Sequence, residues 1–416
     1  MPARNHRLLV VFVALAFVVV ACDRGSSKAA THHPAPSTHP ARAPSVPAKY
    51  QSEYDQTAAG LTAFGRAIDV MPDLGKPPKG QLGFVELLDA NGNRQSALLQ
   101  PNAMAAIDRS LDAFKRLGVR GVVLGVKLPL LLPSFTPQSA QYARFWATVA
   151  DHARAHGFVV DVELGPLFCG TVYSRCSYQY PTTVAGWAQL TAQQARTVID
   201  QIHPDYLDLI SEPNTEANLT RIPALESVPG FTAFVTDALA ALGAHGSTKV
   251  VAGAASWFPV KYDQAIIGSG IDGLVTHIYP AGAGTAANLI ATSTLAHDAG
   301  KPMIADETWL YKGTTTASGN VQATNQQGSL NCFSFWEPLD VRFMQATREW
   351  ATKAGILLVS GFWSNETLAY STWTPQLDAE SSLQIQAQTT AAAVAAMPAG
   401  TFTHTGLALV GQKVDQ

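Results

Sequence analysis

The sequence is short of charge. Asp, Glu, Lys and Arg make up 14% of the 416 residues, where an ordinary soluble domain carries about a quarter. The 28 basic side chains nearly balance the 31 acidic ones, so the composition lacks the basic excess that nucleic-acid binding wants, and a neutral partner fits better. Cysteine is scarce as well, with four residues. The standard short signatures are also missing: no H-E-x-x-H, C-x-x-C, P-loop or G-x-S-x-G occurs. Residues 282 to 287, GAGTAA, fit a G-x-G-x-x-A pattern, but Pro280 interrupts the turn before them and they fall late in the chain. We read them as a flexible loop.

The N-terminus holds an apolar run from Leu8 to Val20 behind Arg4 and Arg7. It is too short to span a bilayer as a helix and matches the hydrophobic region of a secretory signal, residues 1–21. The run stops at VVAC, which resembles a bacterial lipobox and implies acylation of Cys22. From residue 22 to 49 the chain is rich in Pro, Ala, Ser and Thr, a composition that stays solvated and extended. We read it as a tether, which makes the chain an exported protein, lipid-anchored to a bacterial membrane and facing the periplasm or exterior. Cys169 and Cys176 flank the short loop CGTVYSRC. In an oxidising compartment a local disulfide is expected there, and Cys332 is expected to be a buried thiol.

In the remaining body, residues 50–416, short Val/Ile/Leu-rich runs alternate with longer amphipathic or Ala-rich segments. Strands are expected at 82–88, 119–126, 158–164, 206–211, 249–254, 273–278, 302–306 and 356–363. Helical patterns lie between them, several ending in Gly, where a left-handed cap is wanted. Eight such repeats predict parallel strands joined by helical crossovers. A single-domain α/β fold, a (β/α)8 TIM barrel, is the expected architecture, with an open doubly wound sheet as the alternative. In a barrel the active site sits where the strands end.

Under that architecture Glu212 follows the fourth run, His277 and Tyr279 end the sixth, Glu307 follows the seventh and Trp363 ends the eighth. Two carboxylates facing one pocket are what glycosidic cleavage requires. Crowding their charges raises the pKa of one and leaves the other ionised, which divides the roles. A metal centre would want several His and Asp ligands at strand ends, and only His277 is well placed; no metal and no cofactor are expected.

The segments LISEPN and IADETW, whose glutamates stand 95 residues apart, resemble the acid/base and nucleophile segments of the clan A retaining glycoside hydrolases. The resemblance runs from about residue 80 to 365. It implies a (β/α)8 barrel in which Glu212 is the general acid/base and Glu307 the nucleophile, about 5–5.5 Å apart. It further implies that Tyr279 hydrogen-bonds the nucleophile and that Trp363 floors the sugar site. Lys127 is a possible counterpart of a basic residue at the second strand of some members. Clan members usually carry Asn before the acid/base, where this chain has Ser211, so either Asn214 reaches back, or the sugar 2-position is handled differently, or activity is lost.

Trp257, Trp309 and Trp336 are further candidates for stacking on a sugar, and the stretch 311–339 is expected to be a binding loop. Glu337 is read as a carboxylate at a helix start. The expected protein is a monomeric retaining glycoside hydrolase with a carbohydrate substrate. The alternatives are a noncatalytic glycan-binding surface lipoprotein on a degenerate barrel, or a transglycosidase.

Overall fold

The computed structural model describes residues 45–75, 83–171, 174, 176–315, 321–323 and 332–414. Cys22 and the first part of the tether lie outside the described residues. Among the described residues no helix is long and apolar enough to cross a membrane.

Seven strands come first: β1 (Phe84–Glu86), β2 (Gly121–Leu128), β3 (Val159–Pro166), β4 (Tyr206–Asp208), β5 (Lys249–Ala252), β6 (Gly273–Ile278) and β7 (Met303–Thr308). A two-stranded hairpin, β8 (Gly313–Thr315) and β9 (Val321–Ala323), precedes the last strand, β10 (Val359–Gly361). Strands β1 to β7 and β10 form one closed parallel barrel, with β1 beside both β2 and β10. The eight expected runs are the eight barrel strands. Their continuous apolar character follows from position, because a parallel sheet covered by helices is buried on both faces.

The helices are α1 (Gln51–Asp69), α2 (Ala103–Leu117), α3 (Ser139–Ala155), α4 (Val184–Gln201), α5 (Pro213–Thr220), α6 (Val228–Leu242), α7 (Lys261–Ile266), α8 (Ala283–Asp298) and α9 (Glu337–Ala354). After β10 come α10 (Pro375–Asp378), α11 (Ser382–Ala399) and α12 (His404–Leu409). Their limits are chemically marked. The Thr183 and Ser227 hydroxyls cap α4 and α6 by accepting from the N–H of Gly186 and Gly230. Gly118, Gly355 and Gly400 stop α2, α9 and α11 at positive φ. The GAGTAA segment, expected to be a loop, enters α8 instead. Glu337 does sit at a helix start, where it accepts from the His404 N–H at 2.8 Å.

The barrel interior is graded. Phe84, Val251, Val275, Ile304 and Leu358, joined by Val159 and Tyr206, form an apolar layer towards the strand starts. Two residues further along the same strands stand Glu86, Asp161, Asp208, His277 and Asp306, all buried. A strand repeats its facing every second residue, so these charged groups continue the inward face above the apolar layer.

Strand β7 breaks that period once. It pairs Ile304 with Val275 and Glu307 with His277, and Ala305 with Val359 and Thr308 with Gly361. Against both neighbours it therefore holds one extra residue around Asp306. Such a bulge re-aims side chains, and here consecutive Asp306 and Glu307 both meet the His277 ring.

The N-terminal helix is an addition to the barrel. Tyr50, just before α1, packs on Phe333, Phe335 and Trp336 ahead of α9, and the Tyr50 hydroxyl donates to Asp378 at 2.6 Å. Leu74, beyond α1, donates its N–H to Lys353 O at the far end of α9. Helix α1 thus runs alongside α9 from the strand-end face to the strand-start face. Trp336, a sugar-stacking candidate from sequence, is spent on this contact: it is buried and stacks on Tyr54 at 5.6 Å. Within the stretch 311–339, the N–H of Gly313 donates to the α1 hydroxyl of Thr57 at 3.1 Å.

A Cβ at Gly253 would lie 1.9 Å from Val275 O, a backbone atom of the neighbouring strand. Gly253→Ala is expected to lower unfolding stability by at least about 1–3 kcal/mol, the usual range for overpacking. Gly268→Ala, where nothing lies within 4 Å, is expected to stay within about 0.5 kcal/mol. Urea unfolding of both variants checks the pair.

Candidate active site

Four elements deliver the site. Strand β4 hands over at Ser211 to Glu212, which precedes α5, and Pro213 begins that helix where a missing N–H does no harm. Strand β6 ends in His277 and leads to Tyr279; β7 supplies Asp306 and Glu307; β2 supplies Lys127. All stand at the strand-end mouth, as a barrel requires.

His277 is the hub. Its Nδ1 donates to Glu212 Oε1 at 2.8 Å and lies 3.2 Å from Glu307 Oε2. Its Nε2 donates to the Ser211 hydroxyl at 2.8 Å and lies 3.3 Å from Asp306 Oδ1. Since one nitrogen touches both glutamates at 2.8 and 3.2 Å, those two carboxylate oxygens are no more than about 6 Å apart. Inverting glycosidases hold their carboxyl groups about 6.5–9.5 Å apart and retaining ones about 5–5.5 Å.

Burial works against a charged imidazole, but the Glu307 charge, Asp306 and Glu212 outweigh it and hold the His277 pKa well above the usual range. Glu212 is also desolvated, yet the His277 contact and a hydrogen bond from Thr215 keep its pKa below the usual value. Glu307 goes the other way: burial, with the Glu163 and Glu212 charges, pushes it well up in spite of His277. The environment thus makes Glu307 harder to ionise than Glu212. The resemblance implies the reverse, with the proton on Glu212.

Lys127 is buried and bound to Glu163 Oε1 at 2.6 Å. Burial disfavours its charge, but Glu163 and then Glu307 overcome that and raise its pKa. Tyr279 hydrogen-bonds both Glu307 and Glu212, and burial beside their charges raises its pKa well above the usual value. Around Tyr279 the rings form a wall. Trp257 stacks on it at 5.2 Å, Trp309 lies at 5.1 Å and Tyr311 at 5.0 Å, while Trp363 meets Trp309 edge-on at 5.7 Å. Phe168 packs on the same cluster. Asn214 borders the aromatic wall, where its Oδ1 accepts from Trp257 Nε1 at 3.3 Å.

Every residue taken from the strand ends is brought to this mouth. Cys169 and Cys176 form the expected disulfide, in the loop that leaves β3 beside Phe168. Cys332 is buried, makes no disulfide, and has its thiol pushed up to about 12 by burial. Sequence reasoning missed Glu86, Asp161, Glu163, Asp208, Asp306, Thr215 and Tyr311. A signal was there, because Asp161 and Glu163 stand two apart in VDVE, which puts both on one face of the strand.

No protein-family model and no curated protein matches the chain. Solved structures do. Among those it resembles are glycoside hydrolases of families 5 and 1. One is GH5_18 from Bifidobacterium longum subsp. longum in complex with Manb1-4GlcNAc, 14% identical over 79% of this chain and 77% of that one, TM-score 0.46. Another is the family 1 b-glucosidase from Thermotoga maritima, 10% identical over 71% and 90%, TM-score 0.42. A third is an exo-beta-1,4-mannosidase from Opitutaceae bacterium strain TAV5, 14% identical over 70% and 55%, TM-score 0.46. At these identities the likeness is one of fold.

The Lys127–Glu163 pair generates a stability test. Removing one partner of a buried pair leaves the other charge uncompensated and costs about 3–5 kcal/mol. Lys127→Met is expected to lose that much in urea unfolding, and Lys127→Met with Glu163→Gln to regain most of it.

Proposed function

We propose that the protein is a retaining glycoside hydrolase, exported and lipid-anchored through Cys22, that acts as a monomer on a glycan. The observation that carries this reading is the meeting of Glu212 and Glu307, from two different strand ends, on the single nitrogen His277 Nδ1. Both side chains keep some solvent exposure, 16% and 11%, above a ring that is 2% exposed, so their carboxyl groups face the mouth.

In the first step Glu307 attacks the anomeric carbon while Glu212 gives its proton to the departing glycosidic oxygen. The C–O bond breaks and a glycosyl ester forms on Glu307. In the second, Glu212 takes a proton from water, the water oxygen attacks the same carbon, and Glu307 leaves as a carboxylate. This sequence needs the proton on Glu212 at the outset. His277 provides the route: Nδ1, hydrogen-bonded to Glu212 Oε1, passes its proton to that oxygen, which leaves a neutral imidazole and an ionised Glu307. Tyr279, hydrogen-bonded to both carboxylates, holds them in line, and the aromatic wall offers flat faces to a pyranose.

A second reading has a specific observation behind it. Ser211, where the usual Asn is absent, has its hydroxyl bonded to His277, and Asn214 has its Oδ1 bonded to Trp257, so the contacts that usually hold a sugar 2-hydroxyl are rearranged. That favours a noncatalytic glycan-binding protein, and kinetics separate the two readings.

Glu212→Gln is expected to slow hydrolysis of glycosides with poor leaving groups by about 10²–10⁴-fold while sparing activated aryl glycosides, whose departure needs no proton. Glu307→Gln is expected to abolish both. Mass spectrometry after incubation with 2-deoxy-2-fluoro glycosyl fluorides is expected to place the adduct on Glu307. An adduct on Glu212 would reverse the two roles. Glycan binding with no turnover across a broad panel would remove the hydrolase reading.

A further inference from the structure

Beneath the glutamates the barrel holds more acid than its own bases neutralise. Glu86, Asp161, Glu163, Asp208 and Asp306 join Glu212 and Glu307, and Lys127 and His277 are the cations in contact with the group. Three of these acids, from β3, β4 and β7, are almost without access to water, at 0%, 0% and 1% exposure for Asp161, Asp208 and Asp306. Neither oxygen of Asp161 has a hydrogen-bond partner, nor does Asp208 Oδ2, nor either oxygen of Asp306. The 3.3 Å approach of His277 Nε2 to Asp306 is a charge contact, since that nitrogen is hydrogen-bonded to Ser211. A buried carboxylate left unpaired in this way costs several kcal/mol, so this layer takes up either protons or a cation.

We propose that the floor of the barrel binds a hard divalent cation through the carboxylates of Asp161, Asp208 and Asp306. Oxygen ligands alone select ions of that class. Ligand atoms of Asp208, His277 and Asp306 lie within 4.8 Å of one another, and oxygens on opposite sides of an ion at about 2.3–2.6 Å are about 5 Å apart. Asp161 comes from β3, the strand paired with β4, and it is fully buried with both oxygens unpartnered, so it is the carboxyl left to complete the set. Short-range ligand spacing is absent because the three acids come from separate strands, and so the sequence pattern gave no metal. The cation would do what protons must otherwise do, and it would fix the floor on which His277 rests. The site is independent of the proposed hydrolysis and is read without any glycan.

The full chain, dialysed against a chelator, is titrated calorimetrically with CaCl2, MgCl2 and MnCl2. One ion per chain is expected for the wild type, with affinity at least about tenfold weaker in Asp161→Asn and in Asp208→Asn, both checked for folding by near-UV circular dichroism. Anomalous scattering from wild-type crystals grown with MnCl2 locates the ion without any substitution, and a peak among the three aspartates is expected. No binding of any of the three ions, or a wild type with no such peak, would overturn the site and leave the carboxyls protonated. Binding kept by both aspartate variants but lost in Glu163→Gln would place the ion among Glu163, His277 and Glu307, the other cluster of ligand atoms, and would overturn the proposal equally.

Discussion

One imidazole, closed inside a barrel and shared among four polar partners, is the contact on which the rest of the site depends. His277 has no water to turn to, so its two nitrogens must be satisfied by side chains, and each choice of partner fixes another residue. Nδ1 brings together carboxylates that would otherwise repel each other across a low-dielectric space. Nε2 engages Ser211 and faces Asp306, tying the pair of glutamates to the acidic layer below. The bulge in β7 is what makes this possible: without the extra residue, Asp306 and Glu307 would point to opposite faces of the strand.

Much of this was legible. The barrel follows from eight apolar runs with helical patterns between them, because a strand buried on both faces leaves an unbroken hydrophobic record. The mouth was legible for the same reason, since Glu212, His277, Tyr279 and Glu307 stand where those runs stop. The acidic layer was harder to read. Asp161, Glu163 and Asp208 sit within runs dominated by Val, Leu and Tyr, and a strand is assigned by its majority, so the minority on the inward face was absorbed. The bulge is invisible in a one-dimensional pattern, because it is a relation between three strands. Trp336 was misplaced for a related reason: the sequence shows an aromatic residue in a loop at the active face, but not that Tyr50 and Tyr54 have already covered it.

The interior also shows a division of labour along the barrel axis. At the strand starts apolar side chains fill the space and supply cohesion. In the middle, acids are enclosed at a real energetic cost, tolerated because the shell of helices keeps the strands from parting. At the strand ends a different pair of acids, Glu212 and Glu307, gains solvent on one side and aromatic rings on the other. A chain with so few charges overall has concentrated many of them in one enclosed place, the opposite of the usual arrangement in which charge is spread over the surface.

The entry of the chain has a geometric consequence. Tyr50 is clamped by Phe333, Phe335 and Trp336 ahead of α9, on the same face of the barrel as the glutamates, and α1 then carries the backbone away towards the opposite face. Whatever holds the chain upstream therefore pulls on the rim of the mouth. An anchor in a bilayer would turn the opening towards the lipid surface, and the accessible polymers would be those lying close against it. With such an anchor, the length of chain before Tyr50 would set how far the mouth stands from the surface.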